Sequence, residues 1–535
     1  MPVAVVLAAG FLVVWLLVDP RTPDLAAQVY RLGLYERIGF GVFDEHWYAG
    51  HALPGYSLLF APLASPLGMR AVAVMSVLAS VVLFERIVLG AYGRELCVRL
   101  GACLFGVAAV GDVWSGRLTF ALGVTLALAC AYALSRKRLI VAAVLAGVCA
   151  AASPVAAVLL ALAGLTYALA RRAPMVLLAV GAPVALVAVP VRVLFAEGGY
   201  EPYPATSFAA TVLVVSVFLW AFPRGQSHRR QVPRVGAIVY LLACAGCLVV
   251  HTPMGSNIER YGVLLTGPLL LCALAGDGES GRGRRGEFAS ATASARVAIS
   301  VAICVIVTWI VWGPVRETVA VAVGSGATQA AYYAPVERFL ASQGAGLERV
   351  EVPLTRSHWE AALLAPSVSI ARGWEKQLDV RYDSVLLSSD LTANQYRKWL
   401  GEQAVAYVAL PDVPLDPSSG GEGKLIRQGL SYLRPVFTSR HWRVYAVQDA
   451  TPLLQGPGRL TALGNDTFAL DAHTSGTLLA RVHYTRYFTV VSGRGCVASG
   501  PGGWTYVRAR GPGPIVVATR FSLSRALGLG GSCQA

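Results

Sequence analysis

Residues 19–56 read DPRTPDLAAQVYRLGLYERIGFGVFDEHWYAGHALPGY and follow directly on an apolar run, VAVVLAAGFLVVWLLV, at residues 3–18. The stretch is acidic, aromatic and punctuated by Gly and Pro, whereas the chain around it is mostly hydrocarbon. The apolar run has no basic segment ahead of it and no cleavage pattern after it. It therefore reads as a retained helix entering from the cytoplasm, not as a signal peptide. Trp15 and Asp19-Pro20 mark its interfacial exit.

Working outward, the 535 residues are 55% hydrophobic and only 14% charged, where a soluble globular chain carries about 25% charge. This composition predicts a polytopic α-helical membrane protein. A Pro-interrupted apolar piece at 53–65 reads as a re-entrant segment or the start of the second span. Further spans are expected at 68–89, 97–111, 118–134, 139–153, 154–170, 175–195, 208–222, 235–251, 262–275 and 297–313, about 11 in all with the first. Several fall short of the ~20 residues of an upright crossing.

The net charge of +15 is almost wholly arginine, because the chain has only Lys137, Lys376, Lys398 and Lys424. With the N-terminus inside, alternate loops carry Arg86, Arg94 and Arg99, then Arg136, Lys137 and Arg138, then Arg171 and Arg172, then Arg224, Arg229, Arg230 and Arg234, then Arg282, Arg284, Arg285 and Arg296. The opposite loops carry few, and the rule of positive cytoplasmic loops is obeyed at every turn. The long C-terminal region is then expected outside, and residues 277–295 read as a flexible cytoplasmic linker. The charge fits membrane loops and an Arg-rich outer domain facing anionic lipid or glycan. It lacks the clustered basic face of a nucleic-acid binder.

From about residue 314 the chain turns water-soluble. Helices at 330–345 and 393–401 and short strands at 349–353 and 405–410 predict an α/β domain over 314–449. Residues 450–535 show short alternating runs separated by turns, which predict a β-sandwich. The domains are therefore a transmembrane part over 1–313, carrying the first outer loop at 19–56, and two extracytoplasmic parts. Eight cysteines fall in or beside apolar spans and read as packing residues, including the pair Cys244 and Cys247. Cys496 and Cys533 stand apart in the outer region, where a disulfide is expected. Asn465-Asp466-Thr467 matches a glycosylation sequon.

Candidate chemistry concentrates in the outer loops, whose polar residues are expected on one side of the membrane, lining one cavity at the outer interface. The segment DLAAQVYRLGLYERIG predicts a helix along the bilayer surface, with Asp24 as its N-cap and Leu25, Val29 and Leu32 on one face. Asp24, Asp44 and Glu45 are the candidate bases, since a carboxylate in hydrogen-bond reach can take a proton from an attacking hydroxyl. Arg117 and Arg260 sit at outer ends of spans, and arginine grips phosphate through a bidentate fork. His46, Trp47, His51, Tyr56 and Trp114 complete the candidate substrate-binding set; Asp112, Glu197, Glu201 and Glu259 lie in the same outer loops. Each has a structural reading too. Asp24 caps a helix, Asp44 and Glu45 are solvated loop acids, the histidines bond at the interface, and the arginines and aromatics anchor spans at headgroup depth.

A polytopic chain with an acidic first outer loop, an interfacial helix in it and a soluble C-terminal outer region resembles the GT-C glycosyltransferases. Asp44-Glu45 in FDEHWYAG is similar to the acidic pair that protein O-mannosyltransferases and lipid A aminoarabinose transferases carry there. The whole layout resembles the arabinofuranosyl- and mannosyltransferases of actinobacterial envelope assembly. The resemblance implies an inverting transfer of sugar from a polyprenyl-phosphate donor to an envelope glycan or protein at the outer face. It leaves a divalent metal near Asp24 or Asp44 open. Asp24 lies closer to the first span than the acidic pair does, so the family's base corresponds to either. Two other classes compete. A transporter needs charge near the bilayer midplane, which these spans nearly lack. A non-catalytic envelope scaffold would bind glycan without turnover.

Overall fold

The computed structural model describes residues 2–222, 228–275, 293–319, 325–529 and 533. The linker expected at 277–295 lies outside the described residues, except for its last three positions, which begin a helix. The chain divides into two compact units: Met1–Leu25, Tyr56–Pro190 and Tyr200–Val323 in the first, and Ala26–Gly55, Val191–Gly199 and Gly324–Ala535 in the second. Most of the first loop, assigned from sequence to the membrane part, thus falls in the unit that holds the C-terminal region.

The first unit is helical. Its elements are α1 (Val3–Val18), the start of α2 (Pro23–Ile38), α3 (Phe60–Leu67), α4 (Met69–Tyr92), α5 (Leu96–Trp114), α6 (Leu118–Ser135), α7 (Leu139–Ala152), α8 (Pro154–Arg171), α9 (Pro174–Leu194), α10 (Ala205–Ala221), α11 (His228–Val249), α12 (Glu259–Ala273) and α13 (Ala293–Glu317). Every expected span coincides with a helix. Among the described residues, seven are long and apolar enough to cross a bilayer, or eight if α1 and α2 count as one broken span. The expected eleven therefore comprise seven or eight helices long and apolar enough to cross and shorter ones such as α7 and α10, of 14 and 17 residues. The sequence punctuates them locally. Ser153 ends α7 and caps α8, accepting from the Ala156 amide at 3.3 Å, with Pro154 in the first turn, where its missing N–H costs nothing. The second half of the piece at 53–65 enters the short α3, which Gly68 closes before α4.

The second unit holds the rest of α2, a two-stranded hairpin of β1 (Phe43–Asp44) and β2 (His51–Ala52), a mixed five-stranded sheet and a β-sandwich. The mixed sheet runs β4-β3-β5-β7-β6, from β3 (Arg349–Glu351), β4 (Ser369–Ile370), β5 (Val405–Pro411), β6 (Leu433–Thr438) and β7 (Trp442–Val447). β3 pairs parallel with β4 and β5, and β7 runs antiparallel between β5 and β6. The helix at Ala393–Glu402 is fixed at its start by a Thr392–Gln395 capping box and buries Tyr396, Trp399 and Leu400 with Val405 and Val408. The sandwich stacks one sheet of β12 (Phe488–Ser492), β15 (Gly513–Thr519), β10 (Thr467–Ala472) and β9 (Gly458–Leu463) on another of β13 (Gly495–Ser499), β14 (Trp504–Ala509), β11 (Gly476–His483) and β8 (Leu454–Gln455). The burial of β10 alternates residue by residue, as a strand with one inward face requires. Cys496 on β13 and Cys533 form a disulfide with Cα atoms 5.2 Å apart.

Candidate functional site

In the first unit, the segment leaving α1 lies over the turn between α5 and α6. Gly116 makes this approach possible. Its φ is +81°, and a Cβ there would stand 2.4 Å from the Leu25 amide nitrogen. The Thr22 hydroxyl donates to the Trp114 carbonyl at 3.4 Å, and the Trp114 indole donates to the Thr318 hydroxyl just past α13.

These contacts place Asp24 beside Arg117. The Arg117 Nε donates to Asp24 Oδ2 at 3.2 Å, and its Nη1 lies 3.7 Å from Asp112 Oδ1 at the end of α5. Asp24 is therefore not the expected N-cap: Pro23 already begins the helix, and the Asp24 carboxylate faces a guanidinium. Arg260, on the first turn of α12, sits with its guanidinium 5.1 Å from the centroid of the Phe120 ring. It is within electrostatic reach of Arg117, Asp24, Asp112 and Tyr56. Glu317, the last residue of α13, reaches Arg117 and Asp24 in the same way. Three carboxylates thus surround two guanidiniums where α2, α5, α6, α12 and α13 begin or end. Asp24 and Arg117 keep 35% and 29% of their side-chain surface exposed, while Asp112 keeps 5% and underpins them.

Of the residues singled out from sequence, Asp24, Arg117, Arg260, Tyr56 and Trp114 gather here. Glu317 was missed, although its signal was present: a carboxylate closing an apolar span on the side where the charge pattern places the other candidates.

Asp44, Glu45, His46, Trp47 and His51 belong to the second unit, and the expectation that they line an open cavity is corrected. All five are buried. Asp44 Oδ2 accepts from the Tyr30 hydroxyl at 2.8 Å, and Oδ1 accepts from the Asn465 amide at 2.9 Å and the His46 backbone N–H at 3.3 Å. The sequon asparagine is thereby engaged inside the fold. Trp47 stacks on Tyr30 with centroids 4.3 Å apart and donates to the Ala361 carbonyl at 3.1 Å. A Cβ on Gly373 would stand 2.4 Å from the Trp47 ring, so only glycine admits the indole there. His46 Nδ1 bonds the Ala365 carbonyl at 2.7 Å, Ser369 donates to the Glu45 carbonyl, and Phe43 enters the sandwich core. The hairpin is a plug between sheet and sandwich.

Both Glu45 carboxyl oxygens are buried without a hydrogen-bond partner. Burial, reinforced by Asp44 and Asp466, pushes this carboxyl well above the usual range and favours the neutral acid. Burial likewise lowers the His51 imidazole, against the pull of Asp44, whose Oδ2 lies 3.9 Å from Nδ1. Glu197, in the same unit, accepts from the Ala52 N–H and is pushed up to about 7 by burial. No group of three or more His, Cys, Asp or Glu poised to hold a metal ion occurs among the described residues.

No family model matches the chain, and no curated protein matches it in sequence. Among solved structures it is similar to the arabinofuranosyltransferase AftD from Mycobacteria, at 16% identity and a TM-score of 0.48 over 88% of this chain and 41% of that one. The chain thus spans about two fifths of that protein's length. It is also similar to ArnT from Cupriavidus metallidurans, solved bound to undecaprenyl phosphate, at 13% identity and a TM-score of 0.48 over 83% of this chain and 97% of that one. At such similarity, function has to be argued from the site's own chemistry.

Proposed function

We propose that this multi-pass membrane protein is a glycosyltransferase that moves a sugar from a polyprenyl-phosphate donor to an envelope glycan or protein at the outer face. The observation that carries the reading is the Asp24–Arg117 pair at one end of the bundle, with Arg260 beside it. A lipid phosphate needs positive charge at headgroup depth, and arginine supplies it with directed N–H groups. Asp112 and Glu317 hold Arg117 in place and leave the assembly able to exchange one carboxylate contact for a phosphate oxygen.

In this reading the acceptor hydroxyl oxygen attacks the anomeric carbon as the bond from that carbon to the phosphate oxygen breaks. The electron pair leaves with the lipid phosphate, which Arg117 and Arg260 stabilise. The hydroxyl proton passes to the Asp24 carboxylate. A single displacement of this kind inverts the anomeric centre. Asp44 and Glu45 act at a remove, by holding the hairpin and with it the outer region's packing. The positive-loop asymmetry is what supports placing the site and the C-terminal region outside.

Undecaprenyl phosphate titrated onto the purified full chain and followed by native mass spectrometry tests this. Binding should weaken about tenfold or more in Arg117→Ala and in Arg260→Ala, as expected from losing a charge-assisted contact to phosphate. Wild-type affinity in both variants would exclude the assignment.

A further inference from the structure

The helix α6 runs ~27 Å from its Arg117 end to its other end, at 1.5 Å per residue. At that other end lies a cavity of about 1570 Å³ framed by α4, α6, α8, α9, α11 and α12. This exceeds the ~300–1,000 Å³ of pockets that take small molecules. Its walls are apolar, with Leu128, Val176, Val180 and Leu269 among them. Its rim is not. Arg86, Arg94, Arg136, Lys137 and Arg171 line it, and no carboxylate does so among the described residues.

The rim has internal order. Arg136 Nη2 donates to the Tyr132 hydroxyl at 3.0 Å, its guanidinium lies 5.3 Å from that ring's centroid, and Arg86 reaches the same hydroxyl. Inside, Thr166 is one of the lining residues, and its hydroxyl is buried with no hydrogen-bond partner. A water-filled crevice of this kind would leave apolar walls wet, at roughly 25 cal/mol per Å² of apolar surface. An anion with a hydrocarbon tail satisfies both rim and walls.

We propose that this crevice binds one anionic glycerophospholipid of the cytoplasmic leaflet, with its phosphate among Arg86, Arg136 and Arg171 and an acyl chain along the apolar groove. The commitment to a lipid rests on charge complementarity combined with the apolar depth. The commitment to the cytoplasmic leaflet rests on the loops that carry these cations, which are the basic set. The site lies at the opposite end of the bundle from Asp24 and Arg117, so it stands or falls independently of the transfer reaction.

The test uses the purified full chain, delipidated in detergent and titrated with palmitoyl-oleoyl phosphatidylglycerol, the matching phosphatidylcholine, or glycerol 3-phosphate, with bound species counted by native mass spectrometry. One phosphatidylglycerol should saturate per chain, with phosphatidylcholine at least about tenfold weaker and glycerol 3-phosphate unable to displace it. The variant Arg86→Ala/Arg136→Ala/Arg171→Ala should lose at least about tenfold in affinity, since each basic side chain at a membrane surface contributes about fivefold. Ala131→Trp, which fills the groove without touching charge, should lose the lipid as well and decides the matter if the triple variant does not fold. Equal binding of the two lipids, displacement by glycerol 3-phosphate, or full retention of phosphatidylglycerol in a folded variant would each overturn the proposal.

Discussion

Asp24 and Asp44 stand in one loop, twenty residues apart, and in sequence they look like equivalent acids. In the folded chain they are opposites. Asp24 meets a guanidinium at 3.2 Å in a half-open setting in the first unit. Asp44 is sealed in the second unit and spends its oxygens on a tyrosine, an asparagine and a backbone amide. A carboxylate that must exchange protons with a substrate needs access, whereas one that holds a fold together needs partners. The DEHWYAGH run is engaged in packing and internal hydrogen bonds, and the proposed chemistry is assigned to the plainer PD dipeptide before it.

Substitutions probe that contrast from both sides. Trp47→Ala should destabilise the protein most, by about 5 kcal/mol, because it removes a fully buried aromatic between two packed layers. Thermal unfolding of the purified chain would show it, and a loss under about 1 kcal/mol would deny the plug its role. Asp44→Ala comes next at about 4 kcal/mol, since three donors lose an acceptor in a site water does not reach.

The third prediction concerns pH. The folded pKa of Glu197 is about 7, against an ordinary value of 4.5. Between those values the native state holds more protons than the unfolded state, so stability should fall as pH rises from about 4.5 to 7, by up to about 3 kcal/mol. Glu197→Gln should flatten that slope in unfolding midpoints measured across pH 4.5–8, and an unchanged slope would refute the attribution. Asp24→Asn should have the smallest effect on stability, within about 1 kcal/mol, because half-exposed ion pairs contribute little. A loss as large as that of Asp44→Ala would erase the distinction between the two acids.

Much of this architecture was legible in the sequence. Apolar runs located every helix of the bundle, and strands β9, β10, β11, β12, β14 and β15 follow readable alternations. What escaped was set by tertiary context. β13, GCVAS, is too small and polar to announce itself. β6 and β7 are partly exposed, and a Pro interrupts β6, so they blur into a loop. In α2 the expected stripe of Leu25, Val29 and Leu32 holds at Leu25, which is buried, but Val29 and Leu32 are only half-buried, while Ala26, Tyr30 and Leu34 are buried as well, because Tyr30 must reach Asp44 and Trp47. Asp24, Arg117 and Arg260 were each visible as polar residues at span ends. Their placement on one side was expected; the direct pairing of Asp24 with Arg117 was not legible, because it depends on Gly116 letting one loop rest on another.

The most direct measurement compares Asp24→Asn and Asp44→Asn side by side, as release of undecaprenyl phosphate from a panel of undecaprenyl-phosphate-linked pentoses and hexoses, normalised to folded protein. Asp24→Asn should lose at least about 100-fold, the usual contribution of a general base, while folded Asp44→Asn keeps a rate close to wild type. Full turnover by Asp24→Asn, or an equal loss in folded Asp44→Asn, would contradict the assignment of Asp24 as the base.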